Sequence, residues 1–197
     1  MCGIAGVMTK TGNAPDFAIL DSMETALLHR GPDGSGRYAQ SDTVILQTRL
    51  AIIDLETGDQ PFVLQGDRGS RALVANGEIF NYRELYRALP GIAFATASDC
   101  EVPLHLYDRD GTGYAEGLRG MYAIAIYDAA EKHLVLTRDP FGIKPLYYVE
   151  TGAAFAFASE PQALIRSGLV AVEENADALH ELLQLQFTCR RETVFAG

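Results

Sequence analysis

The sequence predicts an α+β layered domain in which antiparallel sheets carry helices on their faces. Three observations lead there. Short apolar or alternating runs of strand length recur along the chain, two pairs of them are joined as hairpins, and only a few stretches between them show helical periodicity.

In chain order, Cys2 to Val7 is apolar and glycine-punctuated and reads as a buried strand, closed by the Thr-Gly-Asn turn chemistry within Thr9 to Asn13. From Asp16 to His29 the residues Leu20, Met23, Leu27 and Leu28 recur at helical spacing, and Arg30-Gly31-Pro32-Asp33-Gly34 stops that helix before a loop of Gly, Asp and Ser. Val44–Leu46 and Leu50–Ile53 read as strands interrupted by Gln47-Thr48-Arg49. Arg71 to Ala75 is another strand, and the Asn76-Gly77 pair after it suits a tight turn needing positive φ. Tyr82 to Leu89 is a short helix. Ser98-Asp99-Cys100-Glu101 has the S-x-x-E form of a capping box and opens a helix through Tyr107, within which Pro103 removes one backbone donor. Met121 to Tyr127 alternates Tyr122, Ile124 and Ile126 with Ala123 and Ala125, giving one bulky face and one small one. It forms a hairpin with Leu134–Arg138, and Leu146–Val149 forms a second with Ala154–Ala158. Ser159-Glu160-Pro161-Gln162 caps a short helix, and Asn175 to Gln186 carries Leu179, Leu182, Leu183 and Leu185 on another.

Composition narrows the function. The chain has 197 residues, 16 Lys+Arg against 26 Asp+Glu and a formal net charge of −10, which argues against affinity gained by neutralising phosphates. Nucleic acid is excluded as an expected partner. No stretch approaches the roughly 20 apolar residues of a membrane span, and no basic segment precedes the apolar start. The three cysteines, Cys2, Cys100 and Cys189, show no C-x-x-C spacing. Neither a disulfide framework nor a metal site follows from them, and a reducing, cytoplasmic compartment fits.

The chemistry centres on Cys2. A catalytic thiol needs a base, and none of the four histidines sits in a Cys/His motif. If Met1 is removed, Cys2 becomes the first residue and carries its own base, a free α-amino group whose ordinary pKa of about 7.7–8.0 lies near that of a thiol. With Met1 attached that nitrogen is an amide and cannot serve. A Met-Cys start alone reads far more readily as an inert hydrophobe in a first strand.

Further segments change the balance. MCGIAGV at the start is followed by His29-Arg30-Gly31-Pro32-Asp33-Gly34-Ser35-Gly36, Arg49-Leu50-Ala51-Ile52-Ile53-Asp54, Asn76-Gly77-Glu78-Ile79-Phe80-Asn81-Tyr82, Ser98-Asp99-Cys100-Glu101, and Arg138-Asp139-Pro140-Phe141-Gly142-Ile143-Lys144-Pro145-Leu146-Tyr147. Together these resemble the class II glutamine amidotransferases, the N-terminal-nucleophile glutaminases, of the asparagine synthetase type. The resemblance covers residues 2 to about 165. It implies a four-layer αββα sandwich of two antiparallel sheets flanked by helices, with L-glutamine as substrate and no cofactor for its hydrolysis. It further implies Cys2 as nucleophile, Asn76 and Gly77 as oxyanion donors, Arg49 for the substrate α-carboxylate, Asp99 with Glu78 for the α-ammonium, and Leu50, Ile52 and Ile53 as pocket lining. Cys100 and Cys189 are expected to be structural. Gly3 and Pro103 depart from residues often found in the family, at positions without a proposed role.

The family's second half, a synthetase domain using ATP and Mg²⁺, has a phosphate loop of SGGxDS type, and none occurs in this sequence. Residues 166–197 are therefore expected to be a linker and the truncated start of that domain. The apolar Val194-Phe195 and the small-residue strand Met121 to Tyr127 are expected to form a surface meeting a synthetase domain or subunit, and a homodimer is left open. Two alternatives stay on the table: a non-catalytic regulatory or partner-binding domain of the same fold, and an N-terminal-nucleophile amidase acting on another amide.

Overall fold

Small and large side chains alternate along the central strands, and that alternation decides how the layers stack. The computed structural model describes residues 1–66, 69–189 and 193–196; of the stretch expected to open a second domain, residues 190–192 and 197 lie outside the described residues. One sheet holds β1 (Gly3–Thr9), β2 (Gly34–Gln40), β3 (Thr43–Arg49), β8 (Tyr147–Glu150) and β9 (Ala154–Ala158) in the order β2-β3-β1-β9-β8. The other holds β4 (Phe62–Gly66), β5 (Gly69–Ile79), β6 (Gly120–Asp128) and β7 (His133–Arg138) in sequence order, and the pairings in both sheets are antiparallel.

On β6 the bulky face, Tyr122, Ile124 and Ile126, packs with Leu73 and Ala75 of β5 against Val102, Leu104 and Leu106 of α3 (Val102–Asp110). The small face, Ala123 and Ala125, turns inward with Val74 to meet Ile4, Ile45 and Phe157 of the first sheet. Within the first sheet, Gly6 leaves room for the ring of Phe157 opposite it, since a Cβ on Gly6 would lie 2.5 Å from that ring. The far face of the first sheet, including Ala5, Val7, Leu46 and Ala156, packs on Leu20, Met23 and Leu27 of α1 (Phe17–Leu27) and Leu164 of α4 (Pro161–Arg166). The layers thus run helix, sheet, sheet, helix, as the resemblance implied. Each fully buried aliphatic side chain contributes roughly 1.5–3 kcal/mol through removal from water.

Several local expectations are corrected. The glycine-rich loop after Asp33 is β2, an edge strand whose Gly34, Ser35 and Gly36 hide its pairing with β3. Gln47-Thr48-Arg49 does not interrupt a strand: β3 runs through it, because Gln47 Nε2 donates to Ala75 O (3.0 Å) and Thr48 Oγ1 to Leu27 O (3.1 Å). Leu50–Ile53 is irregular, with Ile52 exposed. Asn76-Gly77 is no turn but the interior of β5, opposite Ala123 and Tyr122 of β6. Glycine is needed there for space rather than for positive φ, since a Cβ would lie 2.5 Å from Met121 O. The sequence reading did not find β4.

Ser98 does cap, accepting from Cys100 N (3.3 Å) ahead of a single 3-10 turn at Asp99–Glu101, but Glu101 does not reach back to it. Its carboxylate takes Ala95 N, Thr96 N and Thr96 Oγ1 instead. Pro103 sits in the first turn of α3, where no donor is lost. Short helix α2 (Tyr82–Arg87) completes the outer layer beside α3, and α5 (Ala176–Leu185) follows α4 with Leu182, Leu183 and Leu185 exposed. Met121 to Tyr127 offers no partner surface: Ala123 and Ala125 are fully buried between the sheets. Val194 to Ala196 folds back on residues 173–175, with Asn175 N donating to Val194 O and Ala196 N to Glu173 O, both at 2.9 Å. Among the described residues no helix is long and apolar enough to cross a membrane.

Candidate active site

The ends of β1 and β3 and the middle of β5 meet at one edge of the sandwich, and their polar residues enclose a single cavity. Cys2, just before β1, sets its half-buried Sγ against the backbone of Leu50, which donates through N at 3.3 Å and accepts through O at 3.5 Å. Leu50 is held in turn by the loop after α1: Asp33 N donates to Arg49 O (3.0 Å), and Ala51 N donates to Asp33 Oδ2 (2.8 Å).

Asn76 is 1% exposed, and its Nδ2 is buried without a hydrogen-bond partner among the described residues. A buried amide donor left unpaired costs about 1–3 kcal/mol, so its persistence at a cavity wall points to an acceptor that arrives from outside. The neighbouring Gly77 accepts from Cys100 Sγ through its carbonyl (3.6 Å).

Arg49, at the end of β3, is buried to its guanidinium, which donates to Asp59 Oδ1 (2.8 Å), to Leu55 O (3.5 Å) and to Asp54 O. The loop 54–59 is therefore fastened to it. Asp54 closes that loop on the next segment by accepting from Thr57 and from Ala97 N (2.8 Å), and these hydrogen bonds, Thr57's first, hold its carboxyl below the usual range. Asp99 is 3% exposed and accepts from Ile79 N (2.6 Å); burial pushes its carboxyl up, aided by the nearby charge of Glu78. Burial also pushes the Cys100 thiol well up, with the fields of Asp99 and Cys2 adding to it.

Cys2, Arg49, Leu50, Ile52, Ile53, Asn76, Gly77, Glu78 and Asp99, all singled out in the sequence, line this cavity together. So do Gln47, Gln60, Cys100 and Lys144, to which the sequence reading gave no place in it. Gln47 and Gln60 bind the two polar atoms of Ala75. Lys144 lies inside the quoted Arg138–Tyr147 segment, so its signal was present; its backbone N–H is fixed by Asp139, which also accepts from Tyr122, Phe141 and Ile143. Its Nζ contacts Met1 Sδ at 3.7 Å. Among the described residues no cluster of His, Cys, Asp and Glu is arranged to hold a metal ion.

The cavity wall thus combines a thiol, the cations Arg49 and Lys144, the carboxylates of Glu78 and Asp99, and a buried amide donor without a partner among the described residues. That is the complement of a small zwitterion bearing an amide.

Comparison with known proteins agrees. The family model described as "Glutamine amidotransferase domain" matches residues 1–197. The chain is 41% identical over 167 residues to asparagine synthetase [glutamine-hydrolyzing] 2 of Bacillus subtilis (strain 168), covering 83% of this chain and 22% of that protein. It is 36% identical over 204 residues to asparagine synthetase [glutamine-hydrolyzing] 1 of the same organism, covering 100% of this chain and 31% of the relative. The chain thus spans between a fifth and a third of these relatives. A solved glutamine phosphoribosylpyrophosphate amidotransferase from B. subtilis superposes with TM-score 0.71 at 26% identity, over 87% of this chain and 45% of that one.

Proposed function

The chain belongs to the glutamine amidotransferase domain family, and from that premise we propose that it hydrolyses L-glutamine to glutamate and ammonia through a thioester on Cys2. Once Met1 is removed, the α-amino group of Cys2 takes the thiol proton as Sγ attacks the side-chain amide carbon. The oxyanion of the tetrahedral intermediate is received by Asn76 Nδ2 and the Gly77 N–H. When the C–N bond breaks, the amine returns that proton to the leaving nitrogen, ammonia departs, and a γ-glutamyl thioester remains. Water then attacks the thioester, giving up a proton to the same amine, and glutamate leaves with the thiol restored. Arg49 binds the α-carboxylate, Asp99 and Glu78 the α-ammonium, and Leu50, Ile52 and Ile53 wall the pocket. The observation that carries this reading is the buried, unpartnered Asn76 Nδ2 in the cavity that holds the thiol.

Residues 2–165 are the catalytic unit in this reading, and 166–197 a linker and the start of a synthetase half that consumes the ammonia with ATP and Mg²⁺. Free thiols at Cys2, Cys100 and Cys189 suit a reducing cytoplasm. The test is glutamate release from glutamine, without ATP, by protein whose intact mass shows Met1 removed. Cys2→Ala and a variant with residues added before Cys2 are both expected to be inactive yet folded. Undiminished turnover in either would sink the mechanism.

A further inference from the structure

Ser159 and Glu160 precede α4, which opens at Pro161, but neither polar side chain caps that helix: Glu160 stands at the N-cap without a side-chain cap bond. Both instead grip the strand that carries Cys2. Ser159 is fully buried, accepts from Ile4 N at Oγ (2.9 Å) and donates its own N–H to Ile4 O (2.8 Å). Glu160 Oε1 pairs with Arg30 Nη1 at 2.7 Å, and Arg30 Nε donates to Cys2 O at 3.0 Å. The Arg30 side chain is 8% exposed, and the ion pair with Glu160 is its one carboxylate contact within 4.0 Å among the described residues. Arg30 Nη2 has no hydrogen-bond partner among the described residues, so few other bonds fix the guanidinium. On the solvent side, exposed His29 approaches the same Glu160 oxygen at 3.1 Å. Hydrogen bonds from Arg30 and His29 hold the Glu160 carboxyl below its usual range against the burial that opposes them.

We propose that Glu160 is a positioning residue for the nucleophile: its carboxylate aims the Arg30 guanidinium, and Arg30 holds the Cys2 carbonyl so that thiol and amine face the substrate amide. This rests on the glutaminase reading above. The first residue of a chain has no preceding peptide to restrain it. A nucleophile placed there depends on what grips its own carbonyl, and a charge-assisted bond is roughly twice as strong as a neutral one. Misplacement by about 1 Å can cost 10²-fold in rate. Glu160 does not line the cavity, so its effect falls on turnover and not on substrate affinity.

The experiment compares wild type, Glu160→Ala and Glu160→Gln, each with Met1 removed. In Glu160→Ala, kcat for glutamine is expected to fall about tenfold or more with KM within about twofold. Iodoacetamide is expected to alkylate Cys2, followed by peptide mass, about threefold or more faster, since the thiol loosens from Leu50. A nucleophile that becomes more accessible while turning over more slowly is mispositioned; a merely destabilised fold, followed by its melting temperature, does not give that split. Glu160→Gln keeps an acceptor for Arg30 and is expected to recover most of kcat and the wild-type alkylation rate. In an Arg30→Ala background the Glu160→Ala step is expected to have no further effect. Unchanged Cys2 alkylation in Glu160→Ala, a KM rise in place of the kcat loss, or full additivity with Arg30→Ala overturns the proposal. If wild type releases no glutamate, the glutaminase reading fails while the alkylation rates still decide the role of Glu160.

Discussion

At the scale of single residues, the cavity holds a buried donor that has no partner among the described residues. Asn76 Nδ2 forms no hydrogen bond among the described residues, so truncation removes a burden and not a support. Asn76→Ala is expected to leave the melting temperature unchanged or slightly raised while kcat falls on the order of 10²–10³-fold, with a smaller change in KM. A fall in stability without the kcat loss would assign Asn76 to the scaffold. Asp99 behaves differently, since burial and then the charge of Glu78 raise its carboxyl pKa. A raised carboxyl is a stability cost when ionised, present above its folded pKa and relieved as pH falls through it. Substrate binding runs the other way, because only the ionised form attracts an ammonium. Glutamine binding to inactive Cys2→Ala, followed by calorimetry, is expected to weaken on acidification from a pH above the ordinary aspartate range of about 3.9. Asp99→Asn is expected to bind weakly and without that pH dependence; a retained dependence would place the titrating group elsewhere.

At the scale of elements, the strand β5 presents Asn76 and Gly77 because it passes straight through them, pinned by β6 on one side. A Cβ at residue 77 would meet Met121 O at 2.5 Å and Tyr122 Cα at 2.7 Å, both main-chain atoms that cannot rotate away. Gly77→Ala is therefore expected to cost about 1–3 kcal/mol by denaturant unfolding and to lower kcat by displacing Asn76. A variant that keeps both wild-type stability and turnover would contradict the register described. The same pair shows what was legible in the sequence. Residue identities and order placed every expected site residue in one cavity, since motifs preserve chemistry. Local propensity misread the backbone around them. Asn-Gly has turn chemistry in isolation, and Gln47-Thr48-Arg49 has strand-breaking polarity in isolation. Tertiary partners override both: Tyr122 opposite Gly77, and Ala75 and Leu27 accepting from Gln47 and Thr48. Glu160 was read as a cap for the same reason, because its partner Arg30 lies 130 positions away.

At the scale of the whole molecule, the two sheets meet through a layer in which the alanines Ala72, Ala123 and Ala125 stand beside large side chains such as Ile4, Ile45 and Phe157. Ala125→Leu adds volume where Ala125 is 0% exposed, and overpacking of this kind is expected to cost about 1–3 kcal/mol. Tyr148→Ala, at 61% exposed on β8, is expected to change the denaturant midpoint far less. Equal effects would mean the inter-sheet layer is loosely packed. The strand order β2-β3-β1-β9-β8 has a further consequence in time. Ile4 bonds to Ser159 across 155 positions of sequence. On a ribosome adding about 5–20 residues per second, that second neighbour of β1 emerges roughly 8–30 s after β1 itself. Throughout that interval one edge of the nascent strand is open to solvent, to processing at its terminus and to pairing with other chains. Of the nine strands described, β1 beside the nucleophile is made first, and β9, made last of them, is the one that closes it in.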